Sequence, residues 1–191
     1  MHRFRSAILY TALALGANAA MASDTGPGVA ALEALRDGDM VKLRFLKEPA
    51  AVPDTAFVDA AGAEYRLSDW QGKYVLVNFW ATWCAPCRAE MPSLDRLQAD
   101  LGGDRFAVVT IATGRNPLPA IEKFFAEEGI THLPVLRDPK QELARNMAVM
   151  GLPISLILDP EGREIARLIG DAHWDSPEAK RIIEALLAPA G

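Results

Sequence analysis

Trp83-Cys84-Ala85-Pro86-Cys87 comes just after the apolar run Tyr74-Val75-Leu76-Val77-Asn78-Phe79-Trp80 and holds the only two cysteines of the chain. A run of this kind reads as a buried strand, and a helix opening near residue 85 leaves Cys84 at its N-terminus. There, unpaired backbone N–H groups and the helix dipole favour a thiolate over a thiol. Cys87 lies one turn further on and can reach back to the same sulfur. Cys84 is then placed to attack a disulfide on another molecule, and Cys87 to resolve the mixed disulfide that results.

Other uses of the pair fit less well. A closed zinc site needs four Cys or His ligands, whereas the chain offers one Cys-x-x-Cys, with His132 and His173 far away in sequence. A purely structural disulfide over two intervening residues removes little unfolded-chain entropy. His132 and His173 read most simply as solvated or locally bonded loop residues, and no metal site is expected.

Met1-His2-Arg3-Phe4-Arg5 is a basic start, Ala7 to Ala17 is apolar, and Ala20-Met21-Ala22 supplies a small-x-small cleavage signal. Residues 1–22 therefore read as a secretory signal peptide or, left uncut, as an N-terminal membrane anchor over residues 6–22. Either way the rest is expected in the periplasm, an oxidising compartment. A reductant working there needs continuous recharging by a membrane electron donor. The formal charge of −5, with no basic run and no interleaved aromatics, excludes a nucleic-acid partner. Half of the residues are hydrophobic, enough for one cored domain.

Residues 23–52 read as a linker with a short helix over Val29–Leu35 and a strand over Met40–Phe45, where apolar and basic residues alternate. Thr55–Asp59 and Glu64–Leu67 form a hairpin. After the cysteines, Met91, Leu94, Leu97 and Leu101 recur at helical spacing, and Phe106–Ile111 is a second continuously apolar strand, in keeping with a parallel β-α-β crossover. A helix opens near Pro117 and ends at Gly129. Leu133–Leu136 reads as a short strand and Gln141–Met147 as a short helix. Ile154–Leu158 and Arg163–Ile169 pair around Asp159-Pro160-Glu161-Gly162, a turn sequence, and Ser176-Pro177-Glu178 caps the last helix.

This order of elements, with Val77-Asn78-Phe79-Trp80-Ala81-Thr82-Trp83-Cys84-Ala85-Pro86-Cys87 and Glu90-Met91-Pro92-Ser93-Leu94, resembles the TlpA/ResA-type exported thiol-disulfide oxidoreductases of the thioredoxin superfamily, alphaproteobacterial TlpA proteins in particular. The resemblance implies an α/β, thioredoxin-like domain over residues 53–191: a central mixed sheet flanked by helices, with an added N-terminal β-hairpin and a central insertion around Pro117–Gly129. It implies Cys84 and Cys87 as catalytic residues forming a redox-active disulfide, with no other cofactor. It further implies a cis peptide at Leu152-Pro153 facing the cysteines, so that Leu152, Pro153 and Trp83 form the substrate surface, while Pro86 and Asn78 give structural support. Implied clients are disulfide-bearing proteins such as copper chaperones or cytochrome oxidase assembly proteins.

The chain also departs from the wider family. Thioredoxin has a buried carboxylate six residues before the first cysteine, where Asn78 stands here, and ResA-type proteins can carry Glu between the cysteines, where Ala85 stands. Water, or a group not evident from sequence, must then accept the Cys87 proton. Relatives in cytochrome c maturation often carry Glu after the cis-proline, and Ile154 replaces it. Two classes remain: a protein-disulfide reductase, serving copper-site clients or cytochrome c maturation, and a copper-handling thioredoxin-fold protein. The third ligand of the latter, a histidine near Leu152-Pro153, is missing.

Overall fold

The computed structural model describes residues 28–189, so the leader and the start of the linker lie outside the described residues. In chain order the elements are α1 (Val29–Ala34), β1 (Arg44–Ala50), β2 (Phe57–Asp59), β3 (Glu64–Tyr65), β4 (Tyr74–Trp80), α2 (Ala85–Leu101), β5 (Phe106–Thr113), α3 (Leu118–Glu128), β6 (Leu136–Asp138), α4 (Glu142–Asn146), β7 (Ile154–Leu158), β8 (Glu164–Ile169) and α5 (Pro177–Leu187).

One eight-stranded mixed sheet carries them, in the order β1-β8-β7-β4-β5-β6-β2-β3. β4 is parallel to β5 and antiparallel to β7, and β5 is parallel to β6. The β4–α2–β5 unit is thus the expected crossover, and the fold is thioredoxin-like. Both faces of β4 are buried, which is why its sequence shows no polar alternation. On one face Leu76 and Trp80 pack with α2, α3 and α5; on the other Val75, Val77 and Phe79 pack with α4 and the β2–β3 hairpin. The inserted α3 joins the first core through aromatic rings, Phe124 and Phe125 lying 5.4 and 5.8 Å from the Trp80 ring.

Two strands differ from expectation. The strand expected over Met40–Phe45 begins only at Arg44, and a 3-10 turn occupies Gly38–Lys42, with the Asp37 side chain accepting the Gly38 N–H. Met40 and Leu43 are both fully buried while Val41 is exposed. Two apolar residues three apart suit one turn of a tight helix as well as they suit alternation. The displaced β1 is an edge strand paired with β8. The strand expected over Leu133–Leu136 forms instead at Leu136–Asp138. Pro134 has no N–H to give a ladder, and the N–H groups of Thr131 and His132 are already taken by the Asp95 carboxylate. The turn after β7 closes as expected, Gly162 N donating to Asp159 O at 2.8 Å with Gly162 in the left-handed region at φ 79°.

Candidate active site

Cys84 is the N-cap of α2, and its sulfur accepts the Cys87 N–H at 3.3 Å. The two cysteines form a disulfide. Cys84 is 6 % exposed and Cys87 fully buried, so an incoming thiol or disulfide meets Cys84 first. Pro86 stands in the first turn of α2, where no helical N–H is lost.

The turn that delivers the cysteines is pinned from the other side. Thr82 donates both its N–H and its hydroxyl to Asn116 Oδ1, at 2.7 and 2.9 Å, and Asn116 in turn donates to Thr113 O at the end of β5. Trp83 projects from this turn with 65 % of its surface exposed. The Leu152-Pro153 peptide is cis. Ile154 pairs with Phe79, so Pro153 lies at the same end of the sheet from which the cysteine turn leaves β4. Pro153 is buried and its carbonyl accepts the Gly170 N–H. Met150, just before this peptide, and Ile169, paired with Ile154, are exposed apolar residues.

Beneath the cysteines lies a polar cluster centred on Glu90, to which sequence reasoning gave no role. Cys87 and Glu90 are three residues apart on α2 and hence neighbours on one helix face. Glu90 is buried; its Oε1 accepts the Asn78 side-chain amide at 2.7 Å and its Oε2 accepts the Ala172 N–H at 3.1 Å. Asn78 also donates to Ser155 Oγ on β7. Burial pushes the Glu90 carboxyl up to about 7 from an ordinary 4.5, against the lowering effect of the Asn78 and Ala172 donors. The signal was present in the sequence: Cys87, Glu90, Met91 and Leu94 share one stripe, so Glu90 is a carboxylate in an apolar face.

His132 and His173 sit elsewhere, each against a carboxylate. His132 Nδ1 lies 2.9 Å from Asp95, and His173 Nδ1 lies 2.7 Å from Asp39. Among the described residues no group of three or more His, Cys, Asp or Glu side chains is gathered for a metal, and no helix is long and apolar enough to cross a membrane.

Residues 49–165 match the AhpC/TSA family. The chain is 33 % identical over 138 residues to the thiol-disulfide oxidoreductase ResA of Geobacillus kaustophilus, covering 69 % of this chain and 78 % of that one. Among solved structures, a Chlorobium tepidum protein assigned as a thiol:disulfide interchange protein DsbE superposes with a TM-score of 0.65 at 30 % identity, covering 75 % of this chain and 99 % of that one. The pneumococcal exposed lipoprotein thioredoxin of Streptococcus pneumoniae gives 0.58 at 29 % identity, over 69 % of this chain and 99 % of its own.

Proposed function

The chain belongs to the AhpC/TSA family, and on that premise we propose that it reduces disulfides of client proteins in the periplasm, with Cys84 as nucleophile and Cys87 as resolving thiol. It is a thiol-disulfide oxidoreductase of the ResA and DsbE type, whose clients carry disulfides. The location is supported by the basic and apolar leader and by the likeness to an exposed lipoprotein thioredoxin.

The observation that carries the mechanism is the setting of Cys87, sealed from solvent and one helical turn from Glu90. In the reduced protein the Cys84 thiolate attacks one sulfur of a client disulfide, forming a mixed disulfide and releasing the second client sulfur as a thiolate. Cys87 then gives its proton to Glu90, and its thiolate attacks Cys84 Sγ. The client leaves with two reduced sulfurs, the Cys84–Cys87 disulfide closes, and two electrons have moved. A carboxylate near 7 accepts and releases a proton close to neutral pH, which suits it to this task. Trp83 and Leu152-Pro153 provide the surface on which a client segment lies, Asn78 holds Glu90, and Pro86 starts α2. A membrane electron donor returns the pair to the dithiol.

For clients we favour copper chaperones and cytochrome oxidase assembly proteins, on the resemblance to TlpA proteins and on Ile154 standing where apocytochrome-reducing relatives often carry Glu. The test mixes reduced protein, Cu(I) and an oxidised two-cysteine copper chaperone, following thiols and metal together. Electrons pass to the chaperone while copper stays off this chain. Stoichiometric copper kept by this chain, dependent on His132 and His173, would make it a copper-handling protein instead. In parallel, Cys87→Ser accumulates mixed disulfides through Cys84.

A further inference from the structure

Residues 171–174 form a strap that runs past α2 with its contacts alternating between two sides. Inward, Ala172 N donates to Glu90 Oε2 at 3.1 Å and Trp174 N donates to Ser93 Oγ at 3.1 Å, while Ser93 Oγ donates to Glu90 O at 2.6 Å. Outward, His173 N and His173 Nδ1 meet the same oxygen of Asp39 at 3.0 and 2.7 Å. Lys42 Nζ donates to Asp171 O at 2.5 Å and also lies 3.2 Å from Asp39. Ala172 and Trp174 are buried, whereas the His173 side chain is exposed.

Asp39 and Lys42 belong to the 3-10 turn at Gly38–Lys42, which is seated by the buried Met40. That turn and the strap both lie outside residues 49–165, the part matched by the family. Two segments from opposite ends of the chain therefore close on each other, and the inner edge of the closure is a donor to the buried carboxylate.

We infer that Asp39 and Lys42 are positioning residues for Glu90: they hold the strap so that the Ala172 N–H stays on Glu90 Oε2. The inference rests on Glu90 being the proton acceptor of Cys87. An N–H aimed at a carboxylate favours its ionised form. A slack strap leaves Glu90 protonated to higher pH, and attack by Cys87 becomes slower near neutrality. The charged and titratable groups around this joint are Cys87, Glu90 and Arg96 on α2, Asp171, His173 and Asp175 on and beside the strap, Asp39 and Lys42 on the turn, and Glu178 on α5 beside Gly38. Asn78 and Ser155, beneath Glu90 on the sheet, do not titrate.

The test follows 5,5′-dithiobis(2-nitrobenzoate) with reduced full-length protein. The first nitrothiobenzoate is released as Cys84 forms the mixed disulfide, and the second as Cys87 resolves it. The rate of the second release is measured from pH 5 to 9 in wild type, Asp39→Ala, Asp39→Asn, His173→Gln, Glu90→Gln and the double variant Asp39→Ala/Glu90→Gln. Asp39→Ala shifts the rising limb upward by about one pH unit, the lower end of what losing one hydrogen bond to a charge gives. Asp39→Asn, whose amide oxygen still accepts the His173 N–H, shifts it less and serves if the alanine variant does not fold.

His173→Gln keeps the backbone donor and leaves the limb nearly in place. If His173→Gln moves the limb as far as Asp39→Ala does, the limb reports the imidazole and the inference is overturned. In the Glu90→Gln background Asp39→Ala adds no further shift. An equal shift in both backgrounds, or none in a folded Asp39→Ala protein, overturns the inference while leaving the role of Glu90 intact. A limb unchanged in Glu90→Gln removes that role first, and the inference with it.

Discussion

Asn78 on β4 donates its side-chain amide to Glu90 Oε1 on α2 at 2.7 Å, so the position six residues before Cys84 is neutral and the only buried acid at this point is on the helix. Asn78→Asp puts a second carboxylate within hydrogen-bond distance of the first, where the two cannot both ionise cheaply. The pair then titrates in two separated steps, and one proton is kept well past neutral pH. Resolution by Cys87 slows at pH 7 on the order of a hundredfold, the lower end of the range for lost general base catalysis. Stopped-flow release of the second nitrothiobenzoate, together with a carboxyl titration by NMR, checks this; a single step at the wild-type position refutes it.

Glu90 also makes stability depend on pH. Its folded value, about 7, lies above its ordinary 4.5. Below 4.5 both the folded and unfolded chains hold the proton. Between 4.5 and 7 the unfolded chain has released it and the folded chain has not, so stability falls as pH rises, and above 7 this contribution is flat. The loss is on the order of 3 kcal/mol. Urea unfolding of the oxidised protein at a series of pH values shows this decline, and Glu90→Gln removes it. A variant whose stability falls with pH as steeply as the wild type would contradict the assignment.

Trp83 is 65 % exposed beside a nearly buried sulfur. Trp83→Ala therefore changes stability by no more than about 0.5 kcal/mol. The KM for a protein client rises about tenfold, as for loss of an aromatic anchor, while a small disulfide reagent reacts as before. Equal losses with both substrates would place Trp83 in the chemistry rather than in docking.

Just past the C-cap of α4, Met147, Ala148 adopts φ 53° while Val149 N donates to Ala144 O and Ala148 N to Arg145 O. This is the position at which a glycine ends a helix without strain. Ala148→Gly relieves a left-handed residue bearing a Cβ, partly offset by the freer unfolded chain, and stabilises the fold by about 0.5 to 1 kcal/mol. Thermal unfolding measures it, and a lower Tm would refute it.

The cysteine turn, β4 and α2 are legible in the sequence because local signals agree there: a both-faces apolar run, a helix-opening motif and a stripe from Cys87 to Leu101. β1 and β6 are displaced because their apolar residues fit more than one local conformation, and side chains remote in sequence decide. Met40 and Leu43 are buried three apart, and Asp95 takes the backbone donors that a longer β6 would need. The polar half of the site is harder to read. Glu90 betrays itself only by standing in an apolar stripe. The donor on its second oxygen is the backbone of Ala172, which carries no residue signature at all. Thr82 and Asn116 meet for the same reason, through strand order rather than spacing.

That strand order also bears on biosynthesis. Arg44 in β1 pairs with Arg167 in β8, and Val58 in β2 pairs with Arg137 in β6. The first strands to leave the ribosome are thus the two flanks of the sheet: β1 has no partner until β8 is made, and β2, paired early with β3, does not join the sheet until β6 is made. The loop carrying Ala172 comes later still. A growing chain presents both cysteines well before it possesses the Ala172 N–H that donates to Glu90. No N-terminal fragment of this topology contains the finished site, so the redox pair and its buried carboxylate become one unit only when the last strand and the strap after it have been added.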